Sequence, residues 1–280
     1  MTDRPSHLAP RIDRVLTHIH THLDGDLSLD ALAEVAALSR FHFSRTFRDA
    51  TGEGATEVVR RIRLNRAANL LAVTTLPLGR IARSCGYGHT DSFGRAFHRA
   101  FGQPPSAVRA ASRMPLPIVP TKTGDWTMYP VEIRDETETT VAALFHQGPY
   151  LEIGPTFDRM DAMLREREVP TGPSIGIYYD NPQETPLDQL RAHAGRTIVD
   201  SDVPEEMDRV VIPAGRHAIL THVGPFDGLP AAWHYMFEVA LPERGLRMRE
   251  GLTFERYLNN VADTPIEKVV TEVCVPVADA

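Results

Sequence analysis

The strongest restriction on the fold of this 280-residue chain is that each half of it contains an internal repeat. In the first half, a shift of fifty residues aligns "FSRTFRDATG", which starts at Phe43, with "FGRAFHRAFG", which starts at Phe93. In the second half, a shift of 76 residues aligns "LFHQGPY" from Leu144 with "LTHVGPF" from Leu220. Because the two repeats differ in spacing and composition, they predict two domains, each built from a pair of similar units.

The charge of the chain divides at the same place. Residues 1–113 contain 16 Arg, no Lys and 10 Asp or Glu, a net charge of +6, whereas residues 114–280 contain 14 Lys or Arg and 27 Asp or Glu, a net charge of −13. The first half is therefore able to approach phosphates, which would repel the second. Prolines between the halves remove backbone donors and favour a linker or an opening edge strand. We expect domains at 1–113 and 129–280, joined by a linker at 114–128.

Two serines and a helical periodicity predict a helix-turn-helix in the first half. Ser28 and Ser39 are placed as N-caps of two helices separated by a short turn. In the second helix Phe43 and Phe47 lie one turn apart and are predicted to face the core. The opposite face carries Phe41, Ser44, Arg45 and Arg48. Such a face suits a DNA major groove, although a solvated helix surface is the alternative.

The second copy of this pattern favours the DNA interpretation. A helix of about 20 residues between the copies would be roughly 30 Å long. Successive major grooves on one side of a duplex are about 34 Å apart, so a rigid connector of this length would let both recognition helices enter adjacent grooves.

The first hundred residues resemble the DNA-binding domain of AraC-type transcriptional activators. The resemblance rests on "LDALAEVAALSRFHFSRTFRDATG", "RLNRAANLL" and "PLGRIARSCGYGHTDSFGRAFHRAFGQPPSAVR". It implies two helix-turn-helix motifs, with base contacts from Phe41, Ser44 and Arg45 in the first and from Asp91, Gly94 and Arg95 in the second. It also implies that the remaining DNA contacts, largely to phosphates, come from Arg40, Arg48, Thr90, Ser92 and Arg99.

The second recognition helix has weaker base-reading chemistry than the first. Gly94 has no side chain, and Asp91 would be repelled by phosphates unless it caps the helix or accepts from a cytosine amino group. We predict that Asp91 is the N-cap and that sequence discrimination comes mainly from the first helix.

The repeat of the second half predicts a duplicated β-α-β-β unit. Each copy reads as a strand ending in a Gly-Pro turn, then an amphipathic helix, then two strands. Two such units would form one sheet backed by helices, with a groove along their pseudo-twofold seam, and such seams are favoured ligand sites. His146 and His222 occupy equivalent positions beside the two turns, which predicts a structural role for both.

The second half resembles the GyrI-like effector-binding domain. The matching segments are "HQGPY", "IYYDNPQETPLDQLR", "IPAGRHAILTHVGPF" and "FERYLNN". The resemblance implies an amphipathic, often cationic small molecule bound between the repeats and held by Glu255, Tyr257 and Trp233. Further candidates are Tyr150, Tyr178, Tyr179, Phe226 and Trp126, of which Tyr150, Tyr179 and Phe226 enter the predicted ligand-binding set.

Strand alternation places Glu255 and Tyr257 on one side of their strand and Phe254 on the other. If Glu255 faces the groove, its carboxylate would attract a cation among aromatic rings. The alternative is that Phe254 faces the core and Glu255 is merely solvated.

Other residue patterns predict no catalytic or metal chemistry. His18 and His22 are four residues apart, the minimal metal spacing, but no third ligand is evident and a solvated face is the better interpretation. Cys85 and Cys274 are far apart in the sequence, which fits a reducing compartment. No nucleophile-base order or P-loop motif is present, so we expect no cofactor, no metal and no catalytic residue.

These patterns together predict an all-α N-terminal domain with two helix-turn-helix motifs, followed by an α+β domain of two β-α-β-β repeats. We expect a cytoplasmic transcriptional regulator, not an enzyme, that binds double-stranded promoter DNA and a small-molecule effector as a monomer or homodimer. RNA polymerase is an expected partner and a membrane is not.

One alternative is a hydrolase or sequestering protein for a reactive drug-like molecule, with Glu255 and Tyr257 as the minimal catalytic pair. Another is a regulator whose second domain binds only protein.

Overall fold

The computed structural model describes residues 9–111, 113, 115–118, 129–198, 203–259, 263–265 and 268–280. Of the expected linker at 114–128, residues 114 and 119–128, including Trp126, lie outside the described residues. The helices of the first half are α1 (Ala9–Thr21), α2 (Leu29–Val35), α3 (Arg40–Thr51), α4 (Ala55–Val73), α5 (Leu78–Ser84), α6 (Thr90–Phe101) and α7 (Pro105–Ala110).

In the described residues of the second half, nine strands combine with short helices. The strands are β1 (Val131–Glu136), β2 (Thr139–Gln147), β3 (Thr171–Tyr178), β4 (Arg191–Ile198), β5 (Asp208–Ile212), β6 (Gly215–Val223), β7 (Leu246–Met248), β8 (Thr253–Tyr257) and β9 (Val270–Asp279). The helices are α8 (Gly154–Glu166) and α9 (Leu229–Tyr235), with a π-helical turn (Met236–Ala240) and α10 (Leu241–Glu243) continuing α9. A 3-10 turn, Phe226–Gly228, precedes α9.

The ends of the recognition helices follow from their sequence. The Ser28 hydroxyl accepts the N–H of Ala31, and the Ser39 hydroxyl accepts the N–H of His42, so both predicted N-caps are confirmed. Gly52 and Gly102 end α3 and α6 in the left-handed conformation, at φ 74° and 70°. Glycine is favoured there because it has no Cβ to clash.

Each helix-turn-helix unit has its own core, and α4 belongs to both. Phe43 and Phe47 of α3 are fully buried, as predicted, in a cluster that includes Val58 of α4. Phe93 and Phe97 of α6 are buried in a second cluster that includes Leu64, Ala67 and Leu71 of the same helix. One continuous helix therefore fixes the relative position of α3 and α6.

A buried ion pair attaches the start of α4 to the segment after α3. The Arg61 guanidinium donates to Glu53 Oε2 from Nη2 at 2.9 Å and from Nε at 3.1 Å. The two side chains are only 5% and 12% exposed. Each of the two buried charges is stabilised by the other, because burying an unpaired ion has a large desolvation cost.

The sheet has the symmetry that the repeat predicts. Its order is β1-β6-β9-β8-β3-β4-β2-β5, with β7 added beside β9. The first unit is β2-α8-β3-β4 and the second is β6-α9-β8-β9, so the predicted β-α-β-β repeat is confirmed. The units meet where β3 pairs with β8.

Two strands that lie outside the predicted repeat units exchange between the units. β1 precedes the first unit but pairs with β6 of the second, and β5 precedes the second unit but pairs with β2 of the first. Each unit thus completes its outer edge with a strand from the other, which ties the two halves of the domain together.

The Gly-Pro turns are held by the repeated histidines. His146 Nε2 lies 3.3 Å from the carbonyl oxygen of Pro149, and His222 Nε2 lies 3.0 Å from that of Pro225. The predicted structural role of both histidines is confirmed, since each ring closes the turn that follows its strand.

Replacing Arg61 with methionine should lower the stability of the helical domain by about 3 kcal/mol, because the Glu53 carboxylate would be left buried without its partner. Urea unfolding followed by helical circular dichroism measures the loss. Arg60→Met is the matched control, since Arg60 is exposed on the same helix. Adding Glu53→Gln to Arg61→Met should recover part of the loss, and equal losses in the Arg60 and Arg61 variants would contradict the importance of the pair.

Candidate functional site

The first candidate surface is the outward face of α3. Phe41 is 80% exposed, and Arg45 and Arg48 are exposed beside it. Arg40 pairs with Asp30 at 3.2 Å, and Arg45 Nε lies 3.8 Å from Asp49. All four charged side chains of these pairs are mostly exposed. Exposed pairs contribute little to stability, so both arginines are available to exchange a carboxylate for DNA.

The equivalent face of α6 differs from the prediction at one residue. Asp91 was expected to cap the helix, but α6 begins at Thr90 with His89 as its N-cap, and no side chain caps it. The prediction is wrong because the chain becomes helical two residues earlier, at Thr90 and not at Ser92, which places Asp91 inside the first turn. There its carboxylate is favoured by the helix dipole and remains exposed, so it is able to accept from a base.

The other predicted contacts of α6 surround Gly94. Thr90, Arg95 and Arg99 are exposed, and Ser92 bonds back to the carbonyl oxygen of His89 at 2.7 Å. A Cβ built on Gly94 would meet no atom within 4 Å. Nothing in the fold therefore requires glycine at this position, although glycine costs about 1 kcal/mol in a helix interior. Its absent side chain leaves a flat area in the middle of the candidate DNA-contacting face.

The second candidate site is a cavity of about 1220 Å³ at the seam between the two β-α-β-β units. It is large enough for a drug-sized molecule. Its floor is the face of β3 and β8 that points toward the helices, and its sides come from α8, from α9 and its π-helical continuation, and from the segment after β3.

The buried carboxylate of Glu255 lies on this floor with three hydrogen-bond donors. Trp233 Nε1 donates to Oε1 at 2.6 Å, and the hydroxyls of Tyr257 and Tyr178 lie 2.7 Å and 3.0 Å from Oε2. Glu255 is only 4% exposed. Phe254, the next residue on β8, is buried in the core on the opposite face of the sheet, as strand alternation requires.

Glycine at position 176 leaves the space that the two phenols occupy. Gly176 of β3 is directly opposite Glu255 of β8 in the strand pairing. A Cβ at this position would lie 2.6 Å from the Tyr178 hydroxyl and 2.9 Å from the Tyr257 hydroxyl. Any larger residue would therefore displace the groups that hold Glu255.

Aromatic rings form much of the cavity wall around Glu255. The Tyr257 ring packs edge-on against Phe226 at 5.5 Å and against Phe157 at 5.4 Å. Trp233 stacks on Phe237 at 6.1 Å. Stacked and edge-on rings of this kind present π faces and edges to whatever occupies the cavity.

The cavity is acidic. Its lining includes the acidic residues Asp158, Asp161, Asp180, Glu184, Glu238 and Glu255, against Arg196 and His234. Arg196 is already paired with Asp161 at 2.6 Å. Burial raises the pKa of the Glu255 carboxyl above its ordinary value, and the hydrogen bonds from Tyr257, Trp233 and Tyr178 act in the opposite direction. The net field favours a cation.

The connector helix α4 touches the wall of this cavity. Asn69 Nδ2 donates to the carbonyl oxygen of Asp227 at 2.8 Å, and Arg66 Nε lies 3.4 Å from the Asp227 carboxylate. Asp227 follows Phe226, whose ring packs on Tyr257 in the cavity. Val73, at the end of α4, lines the cavity directly.

Comparison with known families decides the classification. The GyrI-like small molecule binding domain matches residues 129–278, which is more than half of the chain, and a helix-turn-helix domain family matches residues 32–111.

The chain belongs to the GyrI-like family.

Its first half is a helix-turn-helix domain of the AraC type, so this GyrI-like protein combines a DNA-binding domain with a small-molecule-binding domain.

Curated relatives match the two halves separately. The DNA gyrase inhibitor of Yersinia enterocolitica is 34% identical over 119 residues, 40% of this chain and 76% of that protein. The transcriptional regulator Rob of Salmonella typhimurium is 36% identical over 98 residues, 35% of this chain and 34% of that protein. Among solved structures, the C-terminal domain of EcmrR covers 55% of this chain and all of that chain, at 18% identity and a TM-score of 0.47.

The structure brings most of the predicted ligand-binding residues of this GyrI-like domain together. Tyr257 and Trp233 both bond to Glu255, and Phe226 and Tyr150 line the same cavity. Tyr179 only reaches the rim, because its hydroxyl is directed to His193 Nδ1 at 2.8 Å. Of the two adjacent tyrosines Tyr178 and Tyr179, it is Tyr178 whose hydroxyl contacts Glu255.

Two wall residues were missed by sequence reasoning. Phe157 and Phe237 follow the apolar periodicity of their helices, which predicted burial in the core. Phe237 is 37% exposed, and both rings line the cavity. No local signal separates such residues from core residues, because the distinction depends on where the other unit of the repeat lies.

Other predicted features are reported for the described part of the chain only. His18 and His22 stack with ring centroids 4.2 Å apart. In that part, no group of three or more His, Cys, Asp or Glu residues is placed to hold a metal ion. No helix in the same ranges is long and apolar enough to cross a membrane.

Substituting alanine for Gly94 should raise the free energy of unfolding by about 1 kcal/mol, because the new Cβ meets no atom and helix propensity improves. We expect weaker DNA binding from the same variant, since the added methyl group would stand between the α6 backbone and the groove. Thermal unfolding and fluorescence anisotropy with selected DNA measure the two effects. Unchanged DNA affinity would show that α6 does not approach DNA at Gly94.

Alanine at Arg45 should relax sequence preference and cost about 1 to 3 kcal/mol of specific binding, as expected for loss of a base contact. Alanine at Arg48 should weaken binding to all sequences alike and reduce its salt dependence, as expected for a phosphate contact. Binding sites selected from random DNA, followed by affinities at several salt concentrations, separate these outcomes. If Arg95→Ala abolished specific binding and Arg45→Ala had no effect, the order of importance of the two helices would be reversed.

Proposed function

We propose that the protein is a one-component transcriptional regulator in which a cationic, amphipathic small molecule bound at Glu255 changes how the helix-turn-helix domain engages promoter DNA. The observation that carries the proposal is the contact between the cavity wall and α4, the helix shared by both recognition units. In this proposal the protein acts in the cytoplasm, contacts RNA polymerase at the promoter and performs no chemical reaction on its effector.

The effector class follows from the chemistry of the cavity. Aromatic faces attract a cation through their quadrupole, and a desolvated carboxylate adds full charge to that attraction. The surrounding acidic residues attract cations and repel anions. An apolar body on the ligand would cover rings such as Phe226 and Phe157, which supplies the hydrophobic part of the affinity.

In this proposal, the link to DNA runs through the turn that lies between the cavity and α4. A ligand against Tyr257 also contacts Phe226, the first residue of the 3-10 turn that precedes α9. The second residue of that turn, Asp227, bonds to α4 through Asn69 and Arg66. A shift of this turn therefore moves or releases the helix that sets the relative position of α3 and α6.

The size of the effect is limited by linkage. A ligand changes DNA affinity only as far as it binds one arrangement of turn and helix better than the other. Couplings of this kind are typically about 1 to 3 kcal/mol, or roughly 5- to 150-fold in affinity. A single chain carries both recognition helices, so the proposal requires no second copy.

Hydrolysis of a reactive ligand is a second candidate function. It is favoured by one observation, the Tyr257 hydroxyl 2.7 Å from the Glu255 carboxylate, which is the arrangement of a general base with a hydroxyl partner. Incubation with electrophilic ligands and mass spectrometry of the products tests it. If the wild-type protein converts such a ligand and Glu255→Gln does not, the protein is an enzyme and the sensor proposal is wrong.

Combining Asn69→Ala with Arg66→Ala should reduce the effect of a ligand on DNA affinity toward zero while the protein still binds that ligand, because both contacts to Asp227 are removed. Tetraphenylphosphonium, a permanent aromatic cation, is the probe, and DNA affinity is measured by fluorescence anisotropy with and without it. Arg60→Ala, on the exposed side of the same helix, is the control and should keep the wild-type response. A full response in the double variant would contradict this route.

A further inference from the structure

Three oxygen atoms on the cavity floor form a closed triangle. Glu255 Oε2 lies 2.7 Å from the Tyr257 hydroxyl and 3.0 Å from the Tyr178 hydroxyl, and the two hydroxyls lie 2.8 Å from each other. All three distances are those of O–H···O hydrogen bonds. Each of the three oxygen–oxygen contacts is favourable only if one proton lies between the two oxygens.

The number of protons depends on the state of Glu255. Each phenol has one O–H, so an ionised carboxylate leaves two protons for three contacts, and one pair of oxygens faces each other without a proton. A neutral carboxylic acid supplies the third proton, and all three contacts then become hydrogen bonds in a ring. The acidic proton belongs on Oε2, because Oε1 accepts from Trp233 Nε1 at 2.6 Å.

The charged groups around Glu255 favour the same state. Among the described residues, no arginine, lysine or histidine lies within ion-pair distance of its carboxylate, which is 4% exposed. The ionisable groups that face the cavity come from every packed element: Tyr178 on β3, Tyr257 on β8, Asp158 and Asp161 on α8, Arg196 on β4, Tyr179, Asp180 and Glu184 after β3, His234 on α9, Glu238 beyond α9, and Tyr150 before α8.

In the described part of the chain, neither Arg196 nor Arg256 is left without a carboxylate partner and able to offset the charge on Glu255. Arg196 is neutralised by Asp161, and Arg256 and Glu272 pair with each other on the opposite face of the sheet. Burial raises the pKa of the Glu255 carboxyl, in agreement with the proton count.

We infer that the empty cavity holds Glu255 as a neutral acid within a ring of three hydrogen bonds, and that a cationic effector binds by taking the place of the Glu255 proton. The inference rests on the proposed function, in which the effector is a cation at Glu255. The balance is simple: the O–H bond of the carboxyl breaks, its proton passes to solvent, and the carboxylate pairs with the ligand cation. No other bond changes.

Proton exchange of this kind makes the cavity selective for cations. Because Glu255 is neutral when no ligand is bound, the ligand-free protein avoids the free-energy cost of burying a charged carboxylate. A neutral ligand finds a neutral acid and displaces nothing, and an anion meets the surrounding carboxylates. A permanent cation gains the full carboxylate charge but competes with protons. Its affinity should therefore increase about tenfold for each unit by which the pH is raised toward the pKa of the ligand-free Glu255 carboxyl, and should be constant at higher pH.

Isothermal titration of the full-length protein with tetraphenylphosphonium tests this exchange. The titration is repeated at several pH values and in buffers of different ionisation enthalpy, which gives the number of protons released per ligand. We expect release approaching one proton in the pH range where affinity rises, and none in Glu255→Gln, whose neutral amide preserves the shape of the acid. Tetraphenylborate, the anion of the same shape, should not bind.

An infrared difference spectrum locates the proton independently. Binding of the cation should remove the band of a protonated carboxyl in the wild-type protein, and this change should be absent in Glu255→Gln. Cation binding with no proton release and with pH-independent affinity would overturn the inference while leaving the proposed function intact. Proton release that persists in Glu255→Gln would assign the proton to His234 and overturn it as well. If the cation bound at no pH, the inference and the proposed effector class would fail together.

Discussion

The packing of α4 is the constraint on which the rest of the molecule depends. Its first half is buried with the core of α3 and its second half with the core of α6, so one helix of 19 residues serves two small domains that lack a common core. Polar residues of α4 also make specific contacts outside the helix. Arg61 pairs with Glu53, and Arg63 Nε donates to the Leu23 carbonyl oxygen at 2.7 Å. Asn65 bonds to both backbone polar groups of Ile118. Any force that moves α4 therefore moves both recognition helices together.

The exchange of β1 and β5 has a similar consequence for the second half. Because each unit completes its edge with a strand from the other, the two units are held in one orientation and β3 is kept beside β8. The helix-side face of that pair is then available as a cavity floor. A carboxyl group on this floor is costly to bury, and the structure offsets the cost with donors from three different elements. The sheet topology thus determines where the Glu255 carboxyl lies and where the charge of a cationic ligand would be balanced.

Sequence reasoning succeeded where the signal was local or repeated. The caps at Ser28 and Ser39, the buried phenylalanines and the histidine-supported turns all follow from short patterns, and the two repeat spacings were sufficient to predict the paired units. It failed where the outcome depends on distant partners. The exchanged strands depend on pairing between units, the choice of Tyr178 over Tyr179 depends on the register of β3 against β8, and the contact of Asn69 with Asp227 joins two domains. The N-cap of α6 was missed because His89 caps without a side chain, for which the sequence has no signal.

The polar contact between α4 and the turn at Asp227 is weak in the way that a regulated contact should be. Arg66 and Asp227 are 35% and 28% exposed, and a pair this open to water contributes little to stability. The hydrogen bond from Asn69 adds about 1 kcal/mol net. A contact of this strength is comparable to the differential binding energy that a small molecule supplies, so occupancy of the cavity is able to shift it. The opposite net charges of the halves act in the same direction, because the acidic domain is repelled by the DNA that the basic domain binds.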